Sequence, residues 1–238
     1  MKLLIVQTGA TLPALLPRHG DFPEWFRRGL GLRHEQVQTV RVDARGRLPR
    51  APGIDAVVIT GSGAMVSERL AWSERTADWL RDAADAGVPM LGVCYGHQLL
   101  AHAFGGHVDY NPRGREIGTV DIECLPAARA DALLEGMPLR FRAHATHLQS
   151  VLKAPRGAVV LARSSLDDSQ IVRFAPRVWG LQFHPEFNAT HIRGYLRARF
   201  EAISREGLDA RGLQRGVSAA PHARRILRRF VAIAAQRA

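Results

Sequence analysis

The sequence predicts an α/β fold, with a mixed, largely parallel central sheet, helices on both faces and a small antiparallel extension. Up to about residue 104, short apolar runs alternate with amphipathic helical segments, a rhythm typical of βαβ units that place parallel strands beneath helices. Between residues 107 and 183, short strand-like runs are separated only by turns, which favours antiparallel pairing. The chain of 238 residues is 46% hydrophobic, which is enough for a sizeable core.

The first half of the chain alternates strand and helix signals. After an apolar strand and a proline-containing loop, Asp21 as N-cap and Pro23 in the first turn predict a helix over residues 22–30. Ser67 is expected to cap a long amphipathic helix that ends near Ala86. The expected strands are residues 2–7, 37–42, 55–60 and 89–93. The expected inward positions of the long helix are Leu70, Trp72, Trp79, Leu80 and Ala83.

The second half predicts shorter elements. A helix is expected over residues 95–104, and another over residues 191–205 is expected to pack back onto the sheet. The expected strands are residues 107–110, 116–123, 139–143, 158–162, 169–174 and 177–183.

Two units are expected along the chain. Residues 1–206 should form the α/β domain, and residues 207–238 a basic helical extension packed on it. Pro221 opens the last helix, in which most arginines lie opposite the apolar positions. The alternative is that this helix serves docking of a partner or dimerisation.

Composition limits the cellular setting. No run of eighteen apolar residues occurs, so no transmembrane helix is expected. The apolar N-terminal run is too short for a signal peptide and is better explained as a first buried strand. Cys94 and Cys124 give no disulfide framework, which favours a cytoplasmic location.

The net charge of +11 comes almost entirely from arginine, since Lys2 and Lys153 are the only lysines. A basic surface can attract polyanions, but no zinc-finger spacing, RNA-binding aromatic signature or basic-region heptad is present. We therefore expect a solvated surface and no nucleic-acid partner. The ten histidines follow no metal-ligand spacing, so neither a metal nor another cofactor is expected.

The most informative stretch places Cys94 where a strand turns into a helix. Gly92 and Gly96 flank the thiol, and residues without Cβ let the strand and the helix approach closely. A helix N-terminus also favours the thiolate over the thiol. The alternative is that Cys94 is a small buried core residue.

His184 and Glu186 follow a predicted strand, where an extended backbone projects alternate side chains to one side. Pro185 between them fixes one φ angle. Cysteine, histidine and glutamate are the residue types that an amide hydrolase needs as nucleophile, as general base and acid, and as the group that orients the imidazole. The alternative for His184 is a structural histidine.

Two motifs carry a resemblance to a known family. Residues 92–98, Gly-Val-Cys-Tyr-Gly-His-Gln, resemble the nucleophile motif of class I glutamine amidotransferases, and residues 180–187 resemble the His–Glu motif of that family. The nearest type is the amidotransferase part of GMP synthase, and the resemblance covers most of residues 1–190. It implies that Cys94 forms a γ-glutamyl thioester, with His184 as base and acid oriented by Glu186.

The resemblance also implies the remaining site residues. The backbone N–H groups of Tyr95, directly after the nucleophile, and of Gly63, in a glycine-rich loop, are expected to form the oxyanion hole. The expected substrate-binding residues are Gln98, Gly61, His147 and Gln149. Gln149 stands where the family often has aspartate. The alternatives are an ordinary strand-to-helix turn at Gly63 and a packing role for Gln98.

Three functions remain open. No P-loop-like pyrophosphatase segment follows the resemblance, so ammonia would pass from glutamine to a separate synthetase subunit. Alternatively, the protein hydrolyses a γ-glutamyl amide or peptide by itself. The third possibility is a non-catalytic binding protein of the same fold.

Overall fold

The computed structural model describes residues 1–51 and 53–236. The strands are β1 (Leu3–Gln7), β2 (Val37–Arg41), β3 (Ala56–Ile59), β4 (Met90–Val93), β5 (His107–Tyr110), β6 (Glu116–Cys124), β7 (Arg140–His147), β8 (Gln149–Lys153), β9 (Val159–Arg163), β10 (Ile171–Ala175) and β11 (Val178–Leu181). The helices are α1 (Leu16–His19), α2 (Phe22–Leu30), α3 (Ala71–Asp85), α4 (Tyr95–Ala103), α5 (Ala189–Ala198), α6 (Phe200–Arg205), α7 (Ala210–Arg215) and α8 (Pro221–Ala235).

Within the described residues, nine strands form one sheet in the order β2-β1-β3-β4-β11-β10-β9-β6-β7. The strands from β2 to β11 run parallel, and those from β11 to β7 pair antiparallel. Strands β5 and β8 form a small antiparallel sheet of their own. This mixed arrangement, with a parallel centre and an antiparallel extension, confirms the predicted fold class.

Helices cover both faces of the parallel strands. Along β1, Leu3 and Ile5 pack into one hydrophobic cluster, and Leu4 and Val6 pack into the other, because side chains alternate across a strand. Helices α2, α5 and α8 contribute to the first cluster, whereas α3 and α4 contribute to the second. A strand that is buried on both faces must be apolar throughout, which explains the short apolar runs of the sequence.

Helix α2 has the predicted bounds, because its ends are specified locally. The Asp21 carboxylate accepts a hydrogen bond from the Phe22 N–H at 2.8 Å. Gly31 ends the helix in the left-handed region, at φ 71°.

The predicted start of the long helix is wrong. Ser67 lies in a separate 3-10 turn, Val66–Glu68, and α3 begins only at Ala71. Arg69 takes a left-handed φ of 52°, which separates the two elements. Leu70 is 36% exposed and is therefore not an inward position, whereas Leu80 and Ala83 are fully buried.

The single helix predicted over residues 191–205 is also two helices. Asn188 caps α5 by accepting hydrogen bonds from Thr190 and His191, and Arg199 ends α5 and precedes α6. Two α-helices and one strand were not predicted, namely α1, α7 and β8. Strand β8 is recognisable only by its pairing with β5.

The C-terminal helix α8 contributes Ile226, Leu227 and Phe230 to the first hydrophobic cluster, and none of these side chains is exposed. No helix in residues 1–51 and 53–236 is long and apolar enough to cross a membrane.

Candidate active site

The turn between β4 and α4 is a tight elbow with Cys94 at its apex. A Cβ atom on Gly92 would lie 2.4 Å from the Gly96 carbonyl oxygen, and one on Gly96 would lie 2.4 Å from the Ile59 carbonyl oxygen. Both positions therefore require glycine. Cys94 itself has φ 52° and ψ −105°, a strained conformation for a residue with a side chain. Strain of this kind persists only where the surrounding structure fixes the backbone.

Cys94 is 7% exposed and precedes the first turn of α4. Burial acts to raise the pKa of its thiol, but the positive charge of the neighbouring His184, and after it that of His147, outweigh burial, so the pKa lies below its ordinary value. This environment favours the nucleophilic thiolate.

His184 and Glu186 reach the same site from the end of β11, which is the parallel neighbour of β4. Nδ1 of His184 lies 2.7 Å from Oε1 of Glu186. Burial acts to lower the pKa of His184, yet the negative charges of Glu186 and Cys94 outweigh it and raise the pKa to about 10. The imidazole is therefore protonated at neutral pH. The Phe187 ring stacks on it, with centroids 4.1 Å apart.

The loop after β3 brings Gly61 and Gly63 to the site for different physical reasons. A Cβ atom on Gly61 would lie 3.0 Å from Cε1 of His184 and 3.6 Å from Cβ of Cys94. No atom would lie within 4 Å of a Cβ atom on Gly63, which borders the open pocket. Gly61 thus keeps the space that the cysteine and the imidazole share.

Tyr95 also lines the pocket, although its phenol points away to a hydrogen bond of 2.6 Å with Ser73. Its backbone N–H lies at the start of α4, where amide groups lack partners within the helix. Such a group can donate to an anion in the pocket.

The three other predicted binding residues meet at one carbonyl group. The Gln149 carbonyl oxygen accepts hydrogen bonds from Nε2 of Gln98 at 2.7 Å and from Nδ1 of His147 at 3.0 Å. The Gln149 side chain turns away and bonds the Ser67 hydroxyl. Gln98, His147 and Gln149 therefore form one rigid wall of the pocket.

Sequence reasoning missed Glu116, which holds His147 from behind. Its carboxylate is 2% exposed and lies 2.9 Å from Nε2 of His147. It also accepts hydrogen bonds from Ser164 at 2.6 Å and Gln170 at 2.5 Å. Burial acts to lower the pKa of His147, but the hydrogen bond and the charge of Glu116 raise it. A second histidine–carboxylate pair thus lies beside the thiol.

Sequence reasoning also missed Arg115 and Arg199, which line the pocket together with Cys94. Arg115 makes a bidentate ion pair with Glu206, in which two guanidinium nitrogens each lie 2.7 Å from a carboxylate oxygen. The sequence did not identify them as pocket residues because scattered arginines are common in this chain. In addition, Arg199 lies inside a stretch that was predicted to be one continuous helix.

The chain is similar in sequence to proteins of known family. The family model described as glutamine amidotransferase class-I matches residues 19–202. A GMP synthase (glutamine-hydrolyzing) of Aeropyrum pernix is 38% identical over 164 residues, which make up 68% of this chain and 30% of that protein. One subunit of a GMP synthase (glutamine-hydrolyzing) of Methanothrix thermoacetophila is 35% identical over 150 residues, which make up 61% of this chain and 77% of that protein. The chain thus spans less than a third of the first relative.

Solved structures share the fold. A glutamine amidotransferase from Thermotoga maritima superposes with a TM-score of 0.78, over 99% of each chain, at 20% sequence identity. At that identity the likeness concerns the fold alone.

Proposed function

The chain belongs to the glutamine amidotransferase class-I family, and we propose that it hydrolyses the side-chain amide of glutamine through a thioester on Cys94. The contact of 2.7 Å between His184 and Glu186, beside a thiol of lowered pKa, is the observation that carries the proposal. It supports a thiolate and an imidazolium as the resting pair.

In the first step, the Cys94 thiolate attacks the amide carbon and forms a tetrahedral intermediate. The backbone N–H groups of Tyr95 and Gly63 stabilise the negative oxygen, and losing one such donor typically lowers the rate by about 10²–10³-fold. His184 gives its proton to the departing nitrogen, ammonia leaves, and a γ-glutamyl thioester remains. The high pKa of His184 keeps that proton available.

In the second step, water attacks the thioester carbon while His184 removes a proton from the water. The carbon–sulfur bond then breaks, glutamate leaves, and the thiolate and imidazolium are restored. Glu186 keeps the imidazole in one orientation through both steps.

We further propose that the ammonia serves a separate synthetase subunit. The Methanothrix relative supports this interpretation, because it is itself described as one subunit of GMP synthase and this chain spans 77% of its length. Cys94 and Cys124 are both free thiols, which a reducing compartment preserves, so the proposed location is the cytoplasm.

The proposal is tested by measuring ammonia release from glutamine with the wild type and with Cys94→Ala. The variant should lose at least about 10³-fold in kcat, whereas Cys124→Ala should retain activity. A chloroketone analogue of glutamine should label Cys94, as detected by mass spectrometry. Equal activity of Cys94→Ala and the wild type would overturn the mechanism.

A panel of γ-glutamyl dipeptides separates the two catalytic interpretations. If a dipeptide is hydrolysed with a higher kcat/KM than glutamine, without any partner, the protein is a stand-alone γ-glutamyl hydrolase. If neither substrate is turned over and Cys94 is not labelled, the fold serves binding alone.

A further inference from the structure

We propose that Arg199 binds the α-carboxylate of the substrate and thereby selects substrates in which that group is free. This inference rests on the proposed function, since it concerns the same pocket. It names a binding residue that neither of the two sequence motifs contains.

The position of Arg199 follows from the break between α5 and α6. Arg199 has φ −105° and ψ 10°, which ends one helix and starts the next. Its side chain lines the pocket that also contains Cys94 and Gln149. A group bound by Arg199 therefore shares a pocket with the thiol.

The two guanidinium groups of the pocket differ in how they are paired. Arg115 is held by Glu206 through two hydrogen bonds of 2.7 Å. In contrast, Nε of Arg199 is buried and makes no hydrogen bond within residues 1–51 and 53–236. The structure gives the Arg199 guanidinium no hydrogen bond or ion pair within the described residues, so it is available to an anionic ligand, and its buried Nε already carries a desolvation penalty.

Neighbouring groups make an anion favourable at this point. Burial, and after it the positive charge of Arg115, lowers the pKa of Arg199. The carboxylate of Glu206 interacts with both guanidinium groups, and a bound carboxylate would add further compensation for their positive charge. The guanidinium carbon lies 6.0 Å from the centre of the Tyr195 ring, whose hydroxyl is held by Thr11 at 2.9 Å. The aromatic ring thus supports the guanidinium in place.

The guanidinium group of Arg199 is suited to bind a carboxylate. Its planar N–H groups match the two oxygens of a carboxylate, and charge-assisted hydrogen bonds of this kind are stronger than neutral ones. Glutamine carries its α-carboxylate a fixed number of bonds from the amide carbon that Cys94 attacks. Binding the carboxylate therefore also positions the amide.

The experiment compares glutamine with L-glutaminamide, which has the same side-chain amide but a neutral amide in place of the α-carboxylate. The wild type should prefer glutamine by about 10- to 100-fold in kcat/KM, the size expected for one hydrogen bond to a charged group. Arg199→Gln should remove most of this preference by raising KM for glutamine with little change in kcat. Arg199→Lys should restore part of it, because the charge remains.

Arg197→Gln is the matched control, because Arg197 is exposed on α5 and does not line the pocket. It should keep the wild-type preference. Thermal unfolding of all variants checks that they fold. A wild-type preference in folded Arg199→Gln would overturn the inference. The inference would also be overturned if the wild type hydrolysed glutamine and L-glutaminamide equally well and this activity depended on Cys94. That result would leave the proposed function intact. A wild type that hydrolyses neither amide and is not labelled at Cys94 would overturn both.

Discussion

Nδ1 of His184 lies 2.7 Å from Oε1 of Glu186, and both side chains are almost completely buried. A buried carboxylate at this distance acts in two ways. It fixes the tautomer and the plane of the imidazole, and its charge favours the protonated ring. Burial alone would lower the pKa of His184, so the charges of Glu186 and, after it, of Cys94 are the reason why the pKa rises to about 10.

The pH dependence of glutamine hydrolysis is expected to be bell-shaped. Activity should fall on the alkaline side near pH 10, where His184 would lose the proton that the proposed mechanism transfers to the departing nitrogen. On the acid side it should fall as the Cys94 thiolate becomes protonated, below the ordinary pKa of a thiol because the pKa of Cys94 is lowered.

Glu186→Gln should move the alkaline limb to lower pH, because the variant removes the charge that raises the pKa of His184. At its own optimum, kcat should fall by about 10²–10⁴-fold. The measurement is kcat/KM for glutamine across a pH series that spans both limbs. Glu35→Gln is the control, since Glu35 is exposed. An unchanged alkaline limb would contradict the assigned role.

The two glycines of the loop after β3 should differ in their tolerance of a methyl group. Gly61→Ala places a Cβ atom 3.0 Å from Cε1 of His184, so kcat/KM should fall about tenfold or more through displacement of the imidazole. Gly63→Ala meets no atom within 4 Å and keeps its backbone N–H, so activity should remain close to that of the wild type. The measurement is kcat/KM for glutamine with both variants, and thermal unfolding checks that they fold. Equal losses of kcat/KM in the two variants would contradict the predicted difference.

The buried Glu116–His147 pair should influence the reactivity of Cys94. The charge of His147 contributes to the lowered pKa of the Cys94 thiol, and Glu116 stabilises that charge. Glu116→Gln should therefore shift the pH dependence of Cys94 alkylation towards higher pH. Its free energy of unfolding should also fall by about 1–3 kcal/mol, because a buried hydrogen-bond network is disturbed. Glu135→Gln, at an exposed position, should change neither quantity.

Leu227 tests whether the C-terminal helix belongs to the cooperative core. Leu227→Ala should lower the free energy of unfolding by about 2–5 kcal/mol, as expected for a buried leucine. Leu152→Ala should change it by less than about 0.5 kcal/mol, because that side chain is 44% exposed. Denaturant unfolding monitored by circular dichroism provides the comparison. Similar values for the two variants would mean that α8 unfolds separately from the sheet.

Much of the fold was predictable because its signals are local. The apolar runs of the parallel strands follow from burial on both faces, and Asp21 and Gly31 delimit α2 by capping. The need for glycine at position 92 was equally local, since a Cβ atom there would meet the Gly96 carbonyl group, whereas Gly96 avoids the backbone of Ile59 in the neighbouring strand β3.

Other features depend on contacts that no local pattern contains. Strand β8 exists because it pairs with β5, some forty residues earlier in the chain. Ser67 looked like a helix cap, but its hydroxyl bonds Gln149 instead. Glu116 supports His147 from behind, and Arg199 lines the pocket, only because distant segments fold together, so neither role was visible in the sequence.

The pairing of β4 with β11 also has a consequence for biosynthesis. Residues 93 and 181 lie side by side in adjacent parallel strands, and the imidazole that lowers the pKa of the thiol follows three residues later. A nascent chain that ends before β11 therefore holds Cys94 without that imidazole. The thiol therefore meets this imidazole only after β11, the last strand of the sheet among the described residues, has been synthesised and inserted beside β4, so these two groups are brought together late in biosynthesis.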